Sequence, residues 1–162
     1  MTGKVIMVSA CLMGDNTTYN AENNFSSNII KLSEIFKIIK FCPEQLGDLS
    51  TPREPSEIKG GDGFDVIDIK AIVMNKNGKD VTENFLKGAE ETLKMAIEHK
   101  PVFIVLKECS PSCGTHKIYD GSFTNTLSKG CGVATALLIK NGYIVINENE
   151  AARMILSNRN YV

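Results

Sequence analysis

A single three-layer α/β domain with a mainly parallel, Rossmann-like sheet is predicted by two features of the chain. Short apolar runs alternate with amphipathic stretches from end to end, the pattern of strands buried under helices on both faces. Three of those runs, residues 4–10, 38–41 and 101–106, lead into Cys11, Cys42 and the loop 107–114, Lys-Glu-Cys-Ser-Pro-Ser-Cys-Gly. A parallel sheet gathers the carboxyl ends of its strands at one edge, where ligands bind, so these strand-end cysteines are predicted to converge there.

In chain order, residues 4–10 make the first strand, and Cys11-Leu-Met-Gly opens the polar loop 15–28, which holds five asparagines. A loop of that length without structure of its own is a lid, a binding loop or disordered. Ser26 or Ser27 caps a helix to about Lys37, with Ile29, Ile30, Leu32, Ile35 and Phe36 inward. The second strand then delivers Cys42. Residues 42–57 contain three of the five prolines, each fixing φ and removing an amide donor, and read as a rigid loop that places Glu44 and Arg53 near the sheet edge.

After the glycines at 60, 61 and 63, the apolar residues of 66–74 and the turn Asn75-Lys-Asn-Gly suggest a β-ribbon. Asp80 and Glu83 have capping-box spacing, and Phe85, Leu86, Ala89, Leu93, Ala96 and Ile97 form the inward stripe of a helix ending near Lys100. That helix feeds strand 101–106. Residues 117–123 read as a short strand and turn. A helix begins at Gly130-Cys-Gly, where free amides attract an anion or a partly negative atom. Asn141-Gly142 ends it, 143–146 is the last strand, and 148–156 is a terminal helix.

At 162 residues the chain supports one domain, 1–162, around one core. A net charge of -1 and a pI near 6.1 leave no basic footprint for nucleic acid. No apolar run approaches the roughly 20 residues of a membrane span, and the first residues lack a secretion-signal pattern, so a cytoplasmic location is expected. Nothing in the sequence speaks to oligomeric state. Five cysteines is an odd count, and their spacing is not that of a disulfide scaffold, which favours metal binding or catalysis.

No CxxC pair is present, so a zinc ribbon is a weak reading. Thiolates from Cys11, Cys42 and Cys113 suit a cubane iron–sulfur cluster with one iron open to substrate. Cys109 is an alternative fourth ligand, and Cys131 packs at a helix start. Glu44, two residues beyond Cys42, is either a general base beside the metal or a solvated carboxylate. Ser110 and Ser112 flank Pro111 and serve either a substrate, a cluster sulfide or the turn itself. Arg53 either pairs with a carboxylate or orients a planar polar ligand. His99 and His116 are too separate for a histidine metal site, and Lys107 and Tyr119 are candidate supporting groups.

With those residues assembled, the sequence resembles a bacterial family, formerly a domain of unknown function, that includes the thiouracil desulfidase. The resemblance lies in Val8-Ser-Ala-Cys-Leu-Met-Gly14, Cys42-Pro-Glu44 with Thr51-Pro-Arg53, Asp80-Val-Thr82, Leu106-Lys-Glu108 with Ser110-Pro-Ser-Cys-Gly114, and Tyr119-Asp-Gly121 followed by Gly130-Cys-Gly-Val133. Each segment is weak alone; together, in order over nearly the whole chain, they are specific. The resemblance implies a [4Fe-4S] cluster held by Cys11, Cys42 and Cys113, with the fourth iron taking the sulfur of a small thiolated substrate. It implies that Glu44 and Ser110 assist hydrolytic removal of that sulfur; Ser112 and Arg53 are candidate substrate-binding residues from their own chemistry and positions. One departure is Thr17-Thr-Tyr19, where the family commonly has a cysteine and an arginine before the tyrosine; it bears on the substrate rather than on the cluster.

Overall fold

A computed structural model describes residues 3–158. Four strands form an all-parallel central sheet: β1 (Val5–Ser9), β2 (Lys37–Phe41), β5 (Ile104–Leu106) and β8 (Val145–Asn147), in the order β2-β1-β5-β8. β1 turns outward to β2 on one side, whereas β5 and β8 extend the sheet on the other. The order therefore reverses between β1 and β5, and that switch point opens a crevice beyond their carboxyl ends.

Alternation along β1 buries both faces of the sheet. Ile6 and Val8 pack with Val105 against Leu12, Ile29, Leu32 and Ala151, which come from a 3-10 turn at Ala10–Met13, from α1 (Ser27–Ile30) and its continuation Lys31–Glu34, and from α6 (Glu148–Asn158). Met7 points the other way and packs with Ile104, Leu106, Ala96 and Leu138 under α4 (Thr82–His99) and α5 (Val133–Lys140). The three layers follow from strands apolar on both sides.

Two antiparallel ribbons complete the fold: β3 (Ser56–Lys59) with β4 (Ile72–Asn75), and β6 (Lys117–Tyr119) with β7 (Leu127–Lys129). Ile58, Val73 and Ile118 join them to Phe85 of α4, Val133 of α5 and Val66 of α3 (Gly63–Ile67) in one core.

Several local expectations are corrected. Ser26 does cap α1, accepting the Ile29 amide at 3.4 Å, but no helix runs to Lys37. The segment tightens into a 3-10 turn because Lys37 already pairs with Val5 in the sheet, and Ile30 and Ile35 face solvent. Val66 lies in α3, which starts at an Asp62/Asp65 capping box; the ribbon partner of 72–75 is the segment 56–59, read from sequence as the end of a loop. Asp80 and Glu83 make no reciprocal capping box: Asp80 accepts the Thr82 amide at 2.9 Å at the start of α4, Val81 makes no side-chain cap, and Asp80 bridges to Met74 across the 75–78 turn. Ile97 is exposed rather than inward. No helix among the described residues is long and apolar enough to cross a membrane.

Candidate active site

At the switch point lies a cavity of about 600 Å³. Cys11 reaches it from the 3-10 turn after β1, Cys42 from the junction of β2 with α2 (Pro43–Leu46), and Cys113 from the loop after β5. All three are free thiols. Burial pushes each thiol up, most at Cys113, and the charges acting on Cys113 are those of Cys42, Cys11 and Glu44. Among the described residues, no three His, Cys, Asp or Glu side chains close up tightly enough to hold a single ion. The thiols instead stand around the cavity wall.

The loop that carries Cys113 is clamped from behind. The amides of Val133, Ala134 and Thr135 at the start of α5 donate to the carbonyls of Pro111 and Ser112, and the Thr135 hydroxyl donates to the Cys113 carbonyl at 2.9 Å. The helix start thus positions the loop and has no amides left there for an anion, which corrects the expectation from its glycines. Gly132 is required for a different reason: a Cβ there would sit 2.3 Å from the Ser112 carbonyl carbon. Gly132→Ala is expected to destabilise the fold by about 1–3 kcal/mol, as overpacking does, readable as a lower urea midpoint.

Glu108 ties the other side of the same loop. Its Oε1 accepts the amides of Thr115, His116 and Lys117 at 2.8, 3.0 and 3.1 Å, and its Oε2 accepts the Thr115 hydroxyl and the Asn147 amide group. Burial opposes the charge, but the His116 amide, the Thr115 hydroxyl and the remaining amides outweigh it and hold the carboxyl at about 2. A carboxyl held below its ordinary 4.5 contributes stability above that pH, and the contribution is lost as pH falls through about 2. Glu108→Gln is expected to be less stable at pH 7 by on the order of 1–2 kcal/mol, partial contact with water screening the charge. The gap to wild type should close in urea titrations between pH 4.5 and 2.

Glu44, on α2, is held by two partners. Its Oε2 accepts from Arg53 Nε at 2.6 Å, and its Oε1 accepts from the Ser112 hydroxyl at 3.2 Å. Both side chains of the ion pair are largely shielded from water, 13% exposed at Glu44 and 8% at Arg53. Arg53 also donates from Nη1 to the Ser50 carbonyl and the Thr51 hydroxyl, and from Nη2 to the Thr17 carbonyl. One Nη2 hydrogen is left, so Arg53 is chiefly a clamp between Glu44 and the asparagine-rich loop. That loop is ordered: Arg53 N–H donates to the Tyr19 carbonyl at 2.7 Å, and Lys40 pairs with Asp15. It forms a wall of the cavity through Thr17, Tyr19 and Asn24.

Ser110 Oγ accepts the amides of Ser112 and Cys113, each at 3.2 Å, and lies 2.9 Å from Ser112 Oγ. With both amides on Ser110 and the Ser112 hydrogen on Glu44, the chain of donors runs Ser110 to Ser112 to Glu44. Cys109 also lines the cavity, at φ 66°, but the charges acting most strongly on it are Lys107, Glu108, Glu148 and Lys117 rather than the other thiols. Cys131 lies outside the cavity lining, buried beside Asp62, its thiol pushed up to about 12 first by burial and then by that carboxylate. Lys107 lines the cavity and pairs with Glu148 at 2.9 Å. Sequence reasoning missed Glu108 as the organiser of the cysteine loop and Glu57 and Phe123 as cavity residues. The signal for Glu57 was a carboxylate one residue before the apolar Ile58 in a segment read as loop.

Fold and cavity together define a class: a Rossmann-like α/β domain whose switch-point cavity is lined by three strand-end cysteines beside a clamped carboxylate. The chain belongs to the 2-thiouracil desulfurase family, whose sequence model matches residues 6–150. It is 47% identical over 146 residues to the uncharacterised protein YbbK of Bacillus subtilis (strain 168), covering 90% of this chain and 97% of that relative. A solved structure of the [4Fe-4S]-dependent thiouracil desulfidase TudS superposes with a TM-score of 0.82 at 35% identity, over 96% of this chain and 98% of that one.

Proposed function

We propose that this protein is a [4Fe-4S]-dependent, non-redox desulfidase that exchanges sulfur for oxygen in a small thiolated heterocycle such as thiouracil. The convergence of Cys11, Cys42 and Cys113 on one cavity, with Glu44 and Ser112 hydrogen-bonded beside them, carries the reading. Three separate free thiols fit a cluster, in which each binds a different iron, better than they fit one zinc ion. A cluster held by three cysteines supplies one iron without a protein ligand, a thiophilic Lewis acid for the substrate sulfur. The 35% identity to TudS supports the same cofactor.

The chain's own residues supply the proton chemistry. Overall, C=S and water become C=O and hydrogen sulfide, with no electron transferred. Glu44 Oε1 takes a proton from the water that attacks the thiocarbonyl carbon, while Arg53 keeps Oε2 occupied and fixes the carboxylate plane. Ser110 donates to Ser112 and Ser112 donates to Glu44 Oε1, which holds the carboxylate as the anion until it takes that proton; Glu44 then passes the proton to the departing sulfur. Ser112 touches both Glu44 and the Cys113 sulfur, so it stands where substrate and base meet.

The test is anaerobic reconstitution with iron and sulfide, followed by a sulfide-release assay on thiouracils. About four irons per chain with sulfide release is the expected result. A fully loaded protein that releases no sulfide from any thiolated pyrimidine would overturn the enzymatic reading in favour of sulfur carriage or redox sensing.

A further inference from the structure

Glu57 is a cavity carboxylate to which the chemistry above gives no task. Alternation along β3 sends Ile58 into the core and Glu57 to the opposite face, against the cavity. The residue is only 7% exposed. Its Oε2 accepts the Phe123 amide at 2.8 Å; no other donor among the described residues reaches the carboxylate, and it joins none of their ion pairs. Glu44 and Glu108, by contrast, have partners on both oxygens. With one amide on Oε2 and no sealed, unpartnered oxygen, the carboxylate's remaining acceptor sites open to the cavity and are available to whatever fills it.

Phe123 is the other half of the feature. It sits at φ 56°, a left-handed conformation that is rare for a bulky aromatic residue, and it is half-buried on the same cavity. Glu57 holds its amide, and a chain of hydroxyls through Ser122, Thr124 and Thr126 braces the turn. An aromatic face beside an under-used carboxylate acceptor is the pair of groups that recognises a flat ring bearing an N–H.

We infer that Glu57 accepts the ring N–H adjoining the thiocarbonyl while Phe123 takes the face of the ring, so that this pair selects thiolated bases with unsubstituted ring nitrogens. The inference rests on the desulfidase reading. Its test compares 2-thiouracil with the N1,N3-dimethyl derivative in sulfide release by reconstituted wild type, Glu57→Gln and Phe123→Leu, together with calorimetric binding of uracil. Wild type should favour the N–H substrate in kcat/KM by roughly ten- to a hundredfold, the weight of one hydrogen bond to a charged group. Gln keeps an oxygen for the Phe123 amide but presents N–H where an acceptor stood. Glu57→Gln should therefore raise KM for 2-thiouracil and weaken uracil binding by a similar factor, leave kcat nearly unchanged, and erase most of the preference between substrates. Phe123→Leu should raise KM for both substrates alike.

Wild-type KM, uracil binding and substrate preference in a folded Glu57→Gln variant would reduce Glu57 to a brace for Phe123 and overturn the inference, with the desulfidase reading untouched. Equal handling of the two substrates by wild type would do the same without any variant. Wild type that neither releases sulfide nor binds uracil would overturn both.

Discussion

Cys113→Ala is expected to fold, to hold no cluster and to release no sulfide above background. The side chain is buried among Met7, Leu106 and Leu138, and its backbone is clamped by α5 and Thr135. Loss of one sulfur there leaves a small void costing about 1 kcal/mol, which the surrounding backbone bonds tolerate. The effect on metal is larger. Burial disfavours a thiolate at this position, so the sulfur becomes anionic only beside a compensating cation. The Ser9 hydroxyl points at it from 3.8 Å, a donor that stabilises a thiolate once it forms. Cys11→Ala and Cys42→Ala should behave alike, whereas Cys109→Ala and Cys131→Ala should retain iron. Iron and acid-labile sulfide per chain, with urea midpoints to separate folding from loading, check this. Loss of iron in Cys109→Ala with retention in Cys113→Ala would sink the three-cysteine assignment.

The cysteine geometry was legible because it depends on local pattern. An apolar run that ends in a turn loop bearing cysteine marks a strand end whatever the strand pairs with, and β1, β2 and β5 all carry that mark, although the loop after β5 holds both Cys109 and Cys113. What stayed hidden depends on distant partners. Segment 56–59 reads as loop because only its pairing with 72–75 makes it a strand, and the helix expected to Lys37 is cut short by a ladder with residues 5–9. The same holds for side chains. Arg53 and Glu44 lie nine residues apart, and whether the guanidinium meets substrate or carboxylate is decided by the short helix α2 and by the Thr17 carbonyl. Glu108 is one acid among many in the sequence; the amides of residues 115–117, which fold back over it, give it its place.

Glu44→Gln should keep the cluster and lose about two to four orders of magnitude in kcat, the range a positioned general base contributes. The amide retains an oxygen for Arg53 and the shape of the side chain, so loading and fold should be near those of wild type. Glu44→Ala is the less informative change. It strands the Arg53 guanidinium, 8% exposed in its side chain, without its counter-charge, and breaking so buried a pair destabilises by about 3 kcal/mol. It also frees Arg53 to let go of Thr17 and Tyr19, the wall of the cavity. Arg53→Lys separates the two roles: a lysine can keep the ion pair but not the simultaneous bonds to Thr51, Ser50 and Thr17. Its loss should appear mainly in KM, through the loosened loop, while the loss in Glu44→Gln appears in kcat. A Glu44→Gln enzyme with wild-type kcat and a full complement of iron would move the base elsewhere, and Ser110, the far end of the hydroxyl chain, would be the next residue to change.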